Sequence, residues 1–130
     1  MKPTRKILCN YQEGQLSLEK ISLLETALKA EYSRLFGREQ RLMVAWVEVP
    51  TGQGFTDAKV SVVSWITIEV GDGLNQSLRE QALRAVSDQW SSIANIDPYN
   101  LMIAMVDSSR MSEYMQAMDA RLAAPGRLRI

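Results

Sequence analysis

At 130 residues, 46% of them hydrophobic, the chain is the size of one globular domain and long enough to bury roughly two-thirds of the surface its unfolded form exposes. Fifteen basic and fifteen acidic residues cancel to a formal charge of zero, so no long-range field favours phosphate backbones or anionic lipid, and nucleic acid is not an expected partner. With no histidine and a single cysteine, the usual zinc sites, histidine-based nucleophile relays and an internal disulfide are excluded; no run of about 18 apolar residues marks a membrane span, and the expectation is a cytoplasmic protein with no membrane association, no metal and no cofactor.

In chain order, Pro3 starts an extended segment and RKILCNY reads as a strand, with Cys9 a small buried hydrophobe within it. QEGQ is a turn, and Ser17 opens a helix whose Ile21, Leu24, Leu28, Tyr32 and Leu35 recur at three- and four-residue spacing until Gly37 ends it. Arg38 and Arg41 flank the loop into LMVAWVEV (42–49), a strand apolar on both alternate sets of residues and therefore expected to be buried on both faces, as parallel strands joined by a crossover helix are. PTGQGFTDAKVSVVS links to a second strand, turn and helix: SWITIEV, GDGLN, then a stripe of Leu78, Ala82, Ala85, Val86, Trp90 and Ile93 stopped by Asp97-Pro98. GDG lacks the lysine of a P-loop and the full glycine pattern of a dinucleotide site. LMIAMVDS (101–108) closes the second half, and MSEYMQAMDARLAAPGRLRI is left for at most a short helix and a tail.

The two halves repeat. A constant shift of 59 residues takes Leu42, Met43, Ala45 and Val47 to Leu101, Met102, Ala104 and Val106, and also Ile7 to Ile66, Glu13 to Asp72, Gly14 to Gly73 and Leu24 to Leu83. The helix faces match better at a shift of 58. One domain (1–130) containing repeats over approximately 5–55 and 64–115 follows, each a β-α-β unit, giving an α+β fold of four main strands in one sheet with two helices on one face. The other face then needs a cover, which copies of the same chain would supply.

The doubled unit, the EVGDGLNQSLREQALRAVSDQW turn and helix, the NIDPYNLMIAMVD approach to the last strand and EVPTGQGF after the first unit resemble the tautomerase superfamily, 4-oxalocrotonate tautomerase-like, and within it the fused-repeat branch containing cis-3-chloroacrylic acid dehalogenase. The resemblance spans roughly residues 5 to 115. It implies a β-α-β-β-α-β chain of the tautomerase/MIF-like kind that forms homotrimers and uses an N-terminal proline as catalyst. A free secondary amine can serve as base, acid or nucleophile, whereas a proline inside a chain is an amide and can do none of these.

Carried over residue by residue, the resemblance describes an eroded site. Pro3 follows Met1-Lys2 and acts only if it is exposed as an N-terminus, and ungapped alignment of the first helix from Leu16 to Gly37 puts Arg5 at the proline slot. The first-helix histidine falls on Tyr32, the two substrate-binding arginines on Gly71 and Leu74, and the last-strand tyrosine on Ala104. The water-activating glutamate corresponds to Glu113 in MSEY, with a solvated helix residue as the bland reading, and the pocket aromatic of smaller relatives to Phe55. Arg38 is a further candidate for holding a carboxylate, because a guanidinium gives bidentate contacts. The expected function is thus a tautomerase-superfamily protein with a degenerate active site, weakly active or noncatalytic, binding a small carboxylate or an enol or keto acid. The alternatives are an active isomerase or hydratase/dehalogenase and, more remotely, a ferredoxin-like regulatory domain with the same element order.

Overall fold

The same local devices build both halves of the molecule, whose computed structural model describes residues 2–123, with side chains through residue 117. The elements are β1 (Thr4–Gln12), α1 (Leu18–Phe36), β2 (Arg41–Val49), a short hairpin of β3 (Phe55–Thr56) and β4 (Lys59–Val60), β5 (Ser64–Val70), α2 (Gln76–Ala94), a 3-10 turn (Pro98–Asn100), β6 (Leu101–Asp107) and α3 (Ser108–Ala123). Gly14 and Gly73 turn the chain out of β1 and β5 at φ +85° and +76°, a conformation in which a Cβ would be strained. Ser17 then caps α1 by accepting from the Lys20 N–H, and Asn75 caps α2 by accepting from Leu78 N–H. Two residues separate Gly14 from its cap and one separates Gly73 from its cap, which is why both 19-residue helices match at a shift of 58 while glycines and strands match at 59. The longer connection after α2 restores the strand shift.

The sheet runs β2-β1-β5-β6. β1 pairs parallel with β2 from Thr4↔Arg41 to Gln12↔Val49, and β5 pairs parallel with β6 from Ser64↔Leu101 to Val70↔Asp107, so the two units share one register. They meet through antiparallel β1–β5 pairing, where Leu8 lies opposite its own repeat equivalent, Thr67, and marks the pseudo-two-fold axis. In a split βαβ unit another strand separates the two that a helix joins; here they are direct neighbours, which excludes the ferredoxin-like alternative.

Both long helices cover one face. Ile7, Cys9 and Tyr11 of β1 and Ile66, Ile68 and Val70 of β5 pack against Leu24, Leu28 and Tyr32 of α1 and Val86 and Trp90 of α2. Trp90 is fully buried and stacks on Trp46 at 5.7 Å, while Trp46 donates its indole N–H to Glu25 Oε1 at 3.1 Å. Burial, followed by the charge of Glu25, pushes the Cys9 thiol up to about 12, in keeping with an inert core cysteine.

Leu42, Val44 and Trp46 face the helices, while Met43, Val47 and Met102 remain 53%, 49% and 64% exposed because no complete layer of this chain lies over them, which is the uncovered face expected of a sheet with both helices on one side. Two expectations need correction. The linker carries a hairpin, with Phe55 opposite Val60. The C-terminal segment forms a 16-residue helix that starts at Ser108, directly where β6 ends, and runs beside β5 and β6 with Tyr114 near Trp65 and Met102. Residues 124–130, the expected tail, lie outside the described residues.

Since Trp90 fills the centre of the helix–sheet interface, Trp90→Ala should lower the unfolding free energy by about 3–5 kcal/mol, measured by urea denaturation with Trp90→Phe as the milder comparison. A loss below about 1 kcal/mol would show that the core is not organised around the stacked tryptophans.

Candidate functional site

The candidate site lies where β1 enters the sheet and β5 leaves it. Regular β1–β5 pairing stops at Ile7↔Ile68. Beyond it, the Glu69 side chain takes the place of the ladder: its Oε1 accepts the Lys6 backbone N–H at 2.9 Å, and its Oε2 accepts the Ser108 hydroxyl at 2.5 Å. The backbone carbonyl of Glu69 turns the other way and accepts from the Tyr32 hydroxyl at 2.7 Å. Glu69 is only 8% exposed, so its charge depends on these charge-assisted bonds and on the nearby cation of Arg5.

Arg5 donates from Nη1 to Ser108 Oγ. Its Nη2 lies 3.6 Å from where a Cβ on residue 71 would begin, so the guanidinium stands beside Gly71 at ordinary contact distance. Arg5 Nε is buried without a hydrogen-bond partner among the described residues. Tyr32 is 4% exposed, and burial pushes its phenol up to about 12, with Arg5 opposing the shift and Glu69 adding to it.

The start of α3 is pinned from several sides. Asp72 accepts from the Ser109 backbone N–H at 2.9 Å, which holds the Asp72 carboxyl below the usual range with help from Arg5 and Arg110. Its repeat equivalent, Glu13, does the same for the Thr51 N–H at 2.8 Å and is likewise lowered. Arg79 forms an ion pair with Asp107 and donates from Nε to the Leu74 carbonyl at 3.3 Å. Two clefts flank this cluster: one of about 360 Å³ lined by Thr4, Lys6, Glu69, Ser108, Met111, Ser112, Met115 and Gln116, and one of about 350 Å³ on the Gly71 side, lined among others by Leu35, Phe36, Gln40, Asp72 and Leu74.

Of the residues singled out in the sequence, the structure brings Arg5, Tyr32 and Gly71 together. Pro3 is exposed, and its carbonyl accepts the Arg41 N–H at 2.8 Å as β1–β2 pairing begins. Glu113 is solvent-exposed on α3, 4.0 Å from Arg110. Phe55 is half-exposed on the hairpin, and Arg38 is exposed in the loop after α1. No hydrogen bond or ion pair joins Arg38, Phe55 or Glu113 to the Arg5 network among the described residues. Nor does any group of three or more acidic or cysteine side chains there form a metal site. Sequence reasoning missed Glu69 and Ser108. Glu69 is the one ionisable residue in SWITIEV, and a lone charge in a strand otherwise fit for burial was the available signal.

Tyr32→Phe removes the donor to the Glu69 carbonyl and should cost about 1–2 kcal/mol of unfolding free energy. The native state holds the Tyr32 proton more tightly than the unfolded state, whose phenol titrates near 10.0, so this stabilisation is complete below that pH and is lost as pH rises toward about 12. Urea denaturation across that interval should show wild type losing more stability than Tyr32→Phe; equal losses would contradict the buried phenol.

No protein-family model and no curated protein matches the chain. Solved structures do. Native Ps01740 is 24% identical, covers 78% of this chain and 92% of its own, and superposes with a TM-score of 0.75. A wild-type fused 4-OT, a symmetric trimer, is 12% identical with 78% and 84% coverage and a TM-score of 0.72. N1, a member of the cis-3-chloroacrylic acid dehalogenase family, is 12% identical with 95% and 94% coverage and a TM-score of 0.72. Strand order, the shared register of the two halves and these superpositions together give the chain the fold of the tautomerase superfamily in its fused-repeat form.

Proposed function

We propose that this chain is a homotrimeric tautomerase-fold protein with a degenerate catalytic site, which binds a small carboxylate or an enol or keto acid and has little or none of the family's proton-transfer chemistry. The observation that carries the reading is the placement of Arg5. The slot that the family resemblance gives to a free secondary amine is occupied by a strand residue whose guanidinium is engaged by Ser108, and the nearby Pro3 nitrogen is an amide. An arginine cannot exchange a proton near neutral pH, but it is suited to holding a carboxylate. With Gly71 and Leu74 at the positions of the family's arginines, Arg5 supplies the positive charge from a different strand.

The trimer rests on the open sheet face. Met43, Val47 and Met102 expose an apolar surface opposite the helices, and assembly of three chains would remove it from water. The fused 4-OT of the same fold is itself a symmetric trimer. The proposed setting is the cytoplasm, in line with a free, buried cysteine and with the absence, among the described residues, of any helix long and apolar enough to cross a membrane.

Sedimentation at micromolar concentration should give a particle of about 44 kDa, three times the 14.7 kDa chain; a monomer would defeat the assembly. Phenylenolpyruvate and 3-haloacrylates should not be turned over efficiently. Removing Met1 and Lys2 should not restore activity, because Pro3 would still lie two residues before Arg5. Robust turnover abolished by Pro3→Ala would overturn the degenerate-site reading. Calorimetric titration with small 2-oxo acids should detect binding that Arg5→Gln weakens by about tenfold or more.

A further inference from the structure

The preceding reading uses the Ser108 hydroxyl only as an anchor for Arg5, yet its surroundings are those of an activated nucleophile. Its Oγ receives a hydrogen bond from the Arg5 guanidinium and donates one to Glu69 Oε2 at 2.5 Å. The carboxylate is itself fixed from behind by the Lys6 backbone N–H at 2.9 Å. Ser108 lines the cleft of about 360 Å³, whose wall includes Met111 and Met115, and it is partly accessible where Glu69 is nearly buried. It is also the first residue of the 16-residue α3, at the positive end of the helix dipole. Arg5 Nε, by contrast, is buried and has no hydrogen-bond partner among the described residues, so the guanidinium acts on this site through its Nη1 contact with the hydroxyl.

We propose that Ser108 is a nucleophile and Glu69 its general base, and that together they transfer the acyl group of small carboxylate esters or thioesters through a covalent acyl-serine. The base accepts a proton at hydrogen-bond distance, the adjacent cation lowers the energy of the alkoxide, and a third group orients the base, which are the geometric requirements of nucleophilic catalysis. In the first step Ser108 Oγ bonds to the acyl carbon while its proton passes to Glu69 Oε2. The tetrahedral oxyanion forms beside Arg5 and the start of α3, where positive charge is already in place. The bond from carbon to the leaving oxygen or sulfur then breaks, and the leaving group takes the proton from Glu69. Water next attacks the acyl-serine and gives a proton to Glu69; Glu69 returns it to Ser108 as the carboxylic acid departs. Arg5, Glu69 and Ser108 are the catalytic residues, and Lys6 positions the base through its backbone.

The proposal does not rest on recognition of a free acid, so either reading can fail alone. The test uses the full chain with an alkyl fluorophosphonate, in which Ser108 Oγ would displace fluoride, and with p-nitrophenyl acetate as substrate. Intact mass should show one phosphonate per chain, peptide mapping should place it on Ser108, and Ser108→Ala should abolish both the adduct and the ester hydrolysis. Glu69→Gln should slow labelling by about a hundredfold. No adduct, an adduct on another residue, or labelling indifferent to Glu69→Gln would overturn the proposal. Ser108→Cys keeps the idea falsifiable if the alanine variant does not fold: with Cys9 buried, its new thiol should react with iodoacetamide about tenfold faster or more than that of Ser109→Cys, which occupies an exposed position next in the chain. Equal or slower reaction would likewise show that Ser108 is only a structural link.

Discussion

A single residue, Glu69, ties together the end of the sheet where β1 enters and β5 leaves. A buried negative charge is tolerated only where donors and a cation surround it. Here the donors come from three separate places: the Lys6 backbone of β1 and the Ser108 hydroxyl at the start of α3 serve the side chain, while the Tyr32 hydroxyl of α1 serves the Glu69 carbonyl. The cation is Arg5, linked through Ser108. Because the three donors belong to three different elements, the position of α3, the entry of β1 and the exit of β5 depend on one another. The clefts on either side inherit their shape from that dependence.

The duplicated architecture makes the site easier to interpret, since the opposite end of the pseudo-two-fold provides an internal comparison. Under the shift of 59, Arg5 corresponds to Ser64, Glu69 to Asn10, Gly71 to Gln12 and Ser108 to Val49. At the other end these four positions carry no charged side chain. Gln12 is buried, donates to the Val63 carbonyl at 3.1 Å and packs against Gly54, while Ser64 is buried and donates to Gln15 Oε1. The backbone plan is retained on both sides, down to the acids Glu13 and Asp72 that hold the chain after each closing strand. What differs is the side chain at the strand end: Gln12 occupies it at one end, and the Arg5 guanidinium stands beside Gly71 at the other. Charge, a glycine and a helix in place of a hairpin turn the same scaffold into a cleft.

The open sheet face and the candidate site meet at α3. This helix borders the cleft beside Ser108 through Met111 and Met115 and borders the far face of β5 and β6 through Tyr114. Anything that covers the exposed Met102 therefore also approaches the wall of the cleft. In a sheet with one solvated face such proximity is a geometric consequence of placing the cleft at a strand end rather than beneath the helices.

Periodicity and repetition in the sequence were enough to establish two β-α-β units, their helix stripes, their glycine turns and the one-residue slip between helices and strands, because caps, positive-φ glycines and apolar spacing are local properties. Arg5, Tyr32 and Gly71, which the resemblance assigned to site positions from ungapped helix and strand alignment, lie near one another in the structure. Tertiary structure alone decided that the units meet as antiparallel neighbours through β1 and β5, that LMVAWVEV keeps one apolar face open, and that the last segment becomes a helix packed at the end of the sheet. It also decided that Glu69 and Ser108, 39 residues apart in sequence, share a proton-bearing contact. No local pattern encodes that meeting: whether a strand carboxylate faces water or a serine depends on where the next strand ends, and this is set by the packing of the whole sheet.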